Sequence, residues 1–285
     1  MQRTKPGRPA LSRRRTAAAV TSLLAIAAAA ALLSAPANAG TRAPLTVRVE
    51  GTSSTLLPAT NVVLSATKFT KNGVAADSCP GRSAGGALEA ATHGKWTATW
   101  SASFKSYYLT GIEGLTFPSS GSEYWAFWVN DAPSAEGICT YDPRPGDRLL
   151  FFPNCYGKKC PKSGGVLDVR APAVAVVGKP FTPLVISYSD DSKATPSMAV
   201  GATVSGGGVS AKTGSSGTAK LVFKHAGTLT LKVTAPNAIR TEASVCVRTA
   251  AAKTCANCAS PAFAKWMNSA AKGLPCIHIP RNSMT

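Results

Sequence analysis

The stretch Tyr124–Phe152, YWAFWVNDAPSAEGICTYDPRPGDRLLFF, decides the fold of this chain. Its first run, Tyr124–Val129, carries apolar or aromatic residues on both faces of any strand, which suits a strand buried on both sides. Its second run, Leu149–Phe152, follows a Pro-Gly-Asp turn and predicts another apolar strand. The stretch therefore predicts a β-rich fold built around buried strands.

Alternation along the first run divides its aromatic residues between two faces. Trp125 and Phe127 fall on one face, which we assign to the core. Tyr124 and Trp128 fall on the other face, where they meet either solvent or a ligand. A second predicted strand places two more tryptophans on one face, either in the core or as a platform for a sugar or another flat ligand. The ligand-binding candidates are Tyr124, Trp128, Trp96 and Trp100.

The first 39 residues have the pattern of an export signal. A basic segment without acids precedes the apolar run Thr16–Ser34, and Ala37-Asn38-Ala39 predicts cleavage between Ala39 and Gly40. An uncleaved membrane anchor is the alternative, because about 19 apolar residues can just span a bilayer. We expect an extracellular protein, secreted through a cleaved signal peptide and without a stable membrane span afterwards.

Charge and length limit the class of protein. The chain carries a net charge of +18, but six of its 31 basic residues precede residue 40, which leaves 25 against 13 acidic residues, or +12. Those charges are scattered, so the sequence argues against a nucleic-acid partner. A basic surface suits contact with an anionic cell envelope. The 246 residues after the signal are enough for two modest domains.

The segment 40–160 predicts a small α+β domain. Leu45–Glu50 alternates as an opening strand, and Asn61–Ala66 is the next predicted strand. Ala84–Ala91 is the one credible short helix of this segment. Strands around a single early helix are typical of a small mixed domain.

The rest of the chain reads as a linker, a second β domain and a tail. Residues 161–165 are a linker by composition. Residues 166–248 contain seven short apolar runs separated by Gly, Pro, Asn or Asp, which is typical of an antiparallel immunoglobulin-like sandwich. The tail, 249–285, contains one helix signal, with Ser260 as N-cap and Gly273 at its end.

The opening stretch resembles the DUF4430 family, which is related to the C-terminal β domain of the cobalamin-binding transcobalamin proteins. The resemblance covers roughly residues 45–155 and implies a β-grasp-like domain of exported or surface proteins. The helical barrel that carries most of the corrinoid contacts in transcobalamins is absent from the sequence, so corrinoid-related binding is a distant alternative. Asp131 replaces the glycine usual in the family. The matching positions are Trp125, Val129, Asn130, Gly137, Tyr141, Gly146 and Asp147.

All eight cysteines follow the signal, and an even number in an oxidising compartment predicts four disulfides. One bridge would tie the helix region to the central strands, one would close a short loop of four intervening residues, and two would hold the end of the second domain and the tail. A zinc site built from Cys155, Cys160, Cys255 and Cys258 is the alternative, which export disfavours. The suggested pairs are Cys79–Cys139, Cys155–Cys160, Cys246–Cys255 and Cys258–Cys276.

No catalytic constellation stands out, so we predict no enzyme, no metal site and no cofactor. An acid pair for sugar hydrolysis could be drawn from Glu136, Asp142 and Asp147, but turn chemistry explains these residues more simply. We expect a secreted, non-catalytic binding or adhesion protein whose ligand is a glycan or another envelope component. An envelope structural or spacer protein is the alternative, and a hydrolase comes third.

Overall fold

The computed structural model describes residues 44–118, 120–158 and 160–250. The expected signal peptide and cleavage point, the tail helix, and Cys255, Cys258 and Cys276 lie outside these residues. Within them the chain has 18 strands and one α-helix, so the prediction of a mainly β protein is confirmed. No helix in this described part is long and apolar enough to cross a membrane.

The first half contains eight strands and the helix. Five strands form a central sheet in the order β2-β1-β8-β6-β7, and three form a small sheet in the order β3-β4-β5. The elements are β1 (Thr46–Glu50), β2 (Thr55–Asn61), α1 (Ala84–Thr92), β3 (Trp96–Ser101), β4 (Ser106–Ile112), β5 (Leu115–Thr116), β6 (Glu123–Val129), β7 (Ala132–Pro133) and β8 (Arg148–Cys155).

One predicted strand is displaced. The sequence placed it at Asn61–Ala66, whereas β2 ends at Asn61. The reason is its pairing with β1, in which Asn61 lies opposite Thr46, the first residue of β1. The chain therefore runs past the end of its partner strand after Val62, whose N–H donates to Leu45 O.

The second half, 166–248, is built from ten short strands. Its larger sheet has the order β10-β18-β17-β14-β15, and a three-stranded sheet has the order β13-β12-β9. The parallel pairing of β10 with β18 departs from the antiparallel sheets that the sequence predicted. The strands are β9 (Val166–Arg170), β10 (Val174–Val176), β11 (Pro180–Phe181), β12 (Leu184–Tyr188), β13 (Pro196–Met198), β14 (Thr203–Gly206), β15 (Val209–Lys212), β16 (Leu221–Val222), β17 (Gly227–Thr234) and β18 (Thr241–Arg248).

The central sheet is covered on both faces, as the apolar pattern of β6 predicted. β8 pairs with β1 in parallel and with β6 in antiparallel fashion, so its odd-numbered residues share a face with those of both neighbours. The face that carries Trp125 and Phe151 packs with α1 and the small sheet. The face that carries Trp128 and Phe152 packs with Val166 and other residues of the second half.

Local chemistry fixes α1 beside the central sheet. The hydroxyl of Ser83 accepts from Gly86 N–H at the N-terminus, and the helix ends where His93 takes a left-handed conformation. Gly86 is required by close approach, because an added Cβ would lie 2.0 Å from Gly81 O. The Cys79–Cys139 disulfide, with Cα atoms 4.9 Å apart, ties the segment before the helix to the loop after β7.

A buried ionic cluster joins the two halves beside the apolar contact. Glu50, at the end of β1, has no exposed surface. Arg48 lies 3.3 Å from its carboxylate, and Arg240 of the second half lies 3.2 Å from it. Thr55 also donates to Glu50, and Arg240 donates to Gly51 O at 3.1 Å. These contacts hold the end of β1 against the second half.

Candidate functional site

Trp96, one of the ligand-binding candidates, is part of the core. Its side chain is 3% exposed, and its indole Nε1–H donates to Glu89 Oε2 at 2.6 Å. Lys71 Nζ lies 4.5 Å from the centre of its ring, within the range of a cation–π contact. The ring and its N–H group are therefore occupied by contacts inside the protein, which removes Trp96 from the ligand-binding candidates.

Two tryptophan substitutions separate packing from hydrogen bonding in this core. We expect Trp96→Phe to lower the free energy of unfolding by about 1.5–3 kcal/mol more than Trp125→Phe, because it abolishes a hydrogen bond to a charged acceptor. The indole N–H of Trp125, by contrast, is buried with no hydrogen-bond partner among the described residues. Urea unfolding followed by circular dichroism measures both. Equal losses would contradict the assigned role of Glu89.

Trp128 is also a core residue, which corrects its place among the ligand-binding candidates. It is 2% exposed, and its ring lies 5.7 Å from that of Phe152 on the face covered by the second half. The sequence left this face open to solvent or a ligand, whereas the second half of the same chain covers it. Tyr124 on this face is half-buried, and its ring lies 6.0 Å from that of Tyr156.

The fourth candidate, Trp100, does lie at an open surface. It is half-buried at the end of β3, where its ring meets that of Tyr107 edge-on at 5.0 Å. It lines a groove of about 420 Å³ at the turn end of the β3–β4 hairpin. We call this the aromatic groove. Its walls are Thr99, Trp100, Ser101, Phe104, Ser106, Tyr107, Tyr108 and Gly137.

Two residues of the aromatic groove are exposed aromatic side chains outside the four ligand-binding candidates. Phe104 is 76% exposed at the hairpin turn, and Tyr108 is 41% exposed. Burial and the neighbouring Tyr156 raise the pKa of Tyr108. The sequence signal for Phe104 was its place in the polar turn Ser103-Phe104-Lys105. A turn at the protein surface offers no core in which an aromatic ring can be buried.

The loop opposite the hairpin shapes the other side of the aromatic groove. Cys139 N–H donates to the hydroxyl of Ser106 at 3.1 Å, which holds the loop against the start of β4. A Cβ on Gly137 would lie 2.6 Å from the same hydroxyl oxygen, so only glycine fits this approach. The Cys79–Cys139 disulfide anchors the loop from behind. The groove is therefore built on a fixed frame.

The acidic residues considered for hydrolysis line a different pocket, and one of them has a structural role. Asp147 is buried and accepts from Asn130 Nδ2 at 2.7 Å, from Tyr141 OH at 2.9 Å and from Arg144 N–H at 2.8 Å. Burial alone would raise the pKa of Asp147, but these hydrogen bonds outweigh it and lower the pKa. Burial and the same carboxylate raise the pKa of Tyr141 to about 12. Asp147 thus stays ionised as the centre of a turn.

The five cysteines among the described residues are all in disulfide bridges. Cys155 and Cys160 form a disulfide across a sequence separation of 5, so their sulfurs are not free to hold the zinc ion of the alternative interpretation. Cys246 is also disulfide-bonded, and Cys255, its suggested partner, lies outside the described residues. Among those residues, no three His, Cys, Asp or Glu side chains are grouped as metal ligands.

Comparison with known proteins gives one family match. Residues 93–152, which run from β3 into β8, match the family described as "Domain of unknown function (DUF4430)". This confirms the resemblance to the DUF4430 family over that part of the chain. None of the curated proteins matches.

Two solved structures show distant likenesses. The Arg-specific cysteine proteinase gingipain R is 19% identical over 29% of this chain and 18% of that chain, with a TM-score of 0.22. The chain thus spans less than a fifth of that proteinase. A "putative metal binding protein from Ruminococcus gnavus" is 14% identical over 40% of this chain and 99% of that chain, with a TM-score of 0.28. Scores this low establish no shared fold.

Proposed function

We propose that this protein is a secreted, non-catalytic binding protein that holds a glycan or a similar envelope component in the aromatic groove. The observation that supports this is the pair of exposed rings, Phe104 and Tyr108, beside Trp100 on a disulfide-anchored frame. Flat aromatic surfaces favour the apolar faces of sugar rings, and the serine and threonine hydroxyls of the groove can bond to sugar hydroxyls.

Disulfides support the proposed location outside the cell, because they form and persist in oxidising compartments. A non-catalytic role is supported by Asp147, whose carboxylate is held in a turn by three hydrogen bonds and is not poised as an acid. On this proposal, the first half is a β-grasp-like domain, and residues 166–248 form an immunoglobulin-like sandwich from facing sheets.

An envelope structural role is the second candidate. It is favoured by the shared apolar cluster and the Glu50–Arg240 contact, which hold residues 166–248 against the central sheet. Such a role needs a fixed arrangement of the two halves but no ligand in the aromatic groove. The binding role and the structural role therefore predict different effects of substitutions in the aromatic groove.

Phe104→Ala tests the binding proposal. The mature protein is applied to a glycan array and to isolated cell envelopes, and the best glycan is titrated. We expect Phe104→Ala and Trp100→Ala each to weaken binding about ten-fold, which corresponds to about 1.4 kcal/mol of lost ring contact. Phe104 is exposed, so its loss should leave the free energy of unfolding within about 0.5 kcal/mol of wild type.

Val63→Ala is the matched control, because Val63 is 90% exposed and outside the groove. It should leave binding unchanged. Absence of any binding above background on arrays and envelopes would contradict the proposal. Binding that Phe104→Ala and Trp100→Ala do not alter would place the ligand elsewhere, and wild-type envelope association without glycan binding would favour the structural role.

A further inference from the structure

Strand β6 has a free edge. It pairs with β8 along its whole length, whereas on its other side β7 pairs only with Trp128 and Val129. One more hydrogen bond on that side, from Ser134 N–H to Phe127 O, closes the hairpin. Across the described ranges, no strand pairs with residues 123–126 on the side away from β8.

The backbone at this edge is oriented to accept another strand. Asn130 N–H donates to Arg148 O, and Ser122 O accepts from Tyr156 N–H, so even-numbered residues bond toward β8. Bonding alternates along an antiparallel strand, so Trp125 directs its N–H and C=O away from β8, toward the free edge. Unpaired backbone groups along a strand edge are a template for strand addition.

A groove runs along the same edge. It has a volume of about 390 Å³, and five consecutive residues of β6, from Tyr124 to Trp128, form one wall. Ser134 and Glu136 of the following loop and Asp190 and Asp191 of the second half form the others. A continuous wall of one strand suits an extended chain, whose residues repeat every 3.2–3.4 Å.

Three of the twelve residues that line this groove are acidic and none is basic, although the protein as a whole is basic. Glu136, Asp190 and Asp191 all line it. The whole chain has only 13 acidic residues against 31 basic ones, so three carboxylates along one groove mark a distinct charge. Asp190 accepts from Asn154 Nδ2 at 3.0 Å, which fixes its carboxylate beside the strand. Charge complementarity therefore favours a basic occupant.

We propose that this groove binds an extended, lysine- or arginine-containing segment of a partner protein as an added strand along β6. Main-chain hydrogen bonds with Trp125 provide the pairing, and the three carboxylates select basic side chains. This surface is distinct from the aromatic groove, since no residue lines both. Binding here thus gives the protein a second partner besides the proposed glycan.

A peptide titration tests the proposal. The probe is a short fluorescent peptide of alternating valine and lysine, and anisotropy measures its binding to the mature protein. Saturable binding is expected. Methylation of alternate peptide nitrogens, which removes the hydrogens needed for strand pairing, should weaken it at least ten-fold. Glu136→Gln combined with Asp190→Asn should weaken it about five-fold, because partly exposed charge pairs contribute modestly.

Glu113→Gln is the control, since Glu113 lies in the turn between β4 and β5 and outside the groove. It should leave peptide binding unchanged, while the amide of Trp125 should exchange its hydrogen more slowly when the peptide is bound. The absence of saturable binding overturns the proposal. Equal binding of the methylated peptide also overturns it, because that result shows charge attraction without strand addition.

Discussion

Glu50→Ala is expected to lower the free energy of unfolding by about 3–5 kcal/mol, the usual cost of leaving a buried ion without its partner. Glu50 is completely buried, and its carboxylate lies between Arg48 and Arg240. The substitution leaves both guanidinium groups without their counter-ion at the contact between the two halves. Urea unfolding, followed by circular dichroism, measures the loss.

Glu113→Ala is the matched control for this substitution. Glu113 also faces a cation, but Lys95 Nζ is 3.9 Å away on a side chain that is 68% exposed. Exposed pairs of this kind contribute about 0–1 kcal/mol. Similar losses for the two glutamates would contradict the importance assigned to the buried cluster. Replacing Arg48, Glu50 and Arg240 together by Met, Leu and Met should recover part of the loss, because no buried charge remains without a partner.

The contribution of Glu50 to the free energy of unfolding should fall as pH rises, which is unusual for a carboxylate. Burial raises the pKa of Glu50 above its ordinary value of 4.5, and Arg48, Thr55 and Arg240 offset this only in part. Between 4.5 and that raised value, the folded protein binds more protons than the unfolded chain, so this group's contribution falls as pH rises. The stability of wild type relative to Glu50→Gln should therefore fall as pH rises above about 4.5, the ordinary value. A difference that grows with pH contradicts the assignment.

The sequence predicted the central strands well because burial on both faces leaves a local signal. Tyr124–Val129 shows no polar alternation, and the structure covers both faces of β6. What covers the second face is not a local property. Val166, Tyr188 and Ile239 come from separate parts of the second half, and only the folded chain brings them onto Trp128. Sequence reasoning therefore left that face open.

The candidate site was predictable only in part, for a related reason. Trp96 and Trp100 share a strand face, yet one is buried by Glu89, Lys71 and Phe69 and the other reaches the surface at the end of the hairpin. Strand periodicity predicts on which face of the sheet a residue lies, but not how far that position is from the protein surface. Phe104 belongs to a turn, where periodicity gives no information, and its exposure comes from the hairpin extending beyond the core.

Loss of the Cys79–Cys139 bridge should also have a large effect. The bridge spans a sequence separation of 60. On the chain-entropy account, closing a loop of that length stabilises the fold by about 4 kcal/mol, through the unfolded chain. Closing the short Cys155–Cys160 loop, with a separation of 5, contributes about 2 kcal/mol by the same relation. Replacing both cysteines of a pair with alanine should therefore cost more for the first pair.

The two double variants share their chemistry and differ in the loop they open, which makes each the control for the other. Thermal and urea unfolding under oxidising conditions give the two losses directly. The first pair also anchors the loop that contains Gly137, so its removal should weaken glycan binding at the aromatic groove as well as stability. Removal of the second pair should affect the groove less, because that loop reaches it only through Tyr156 beside Tyr108. If opening the short loop lowers the free energy of unfolding as much as opening the long loop, or more, the entropic account is contradicted. Native contacts near Tyr156 would then contribute more than the loop closure.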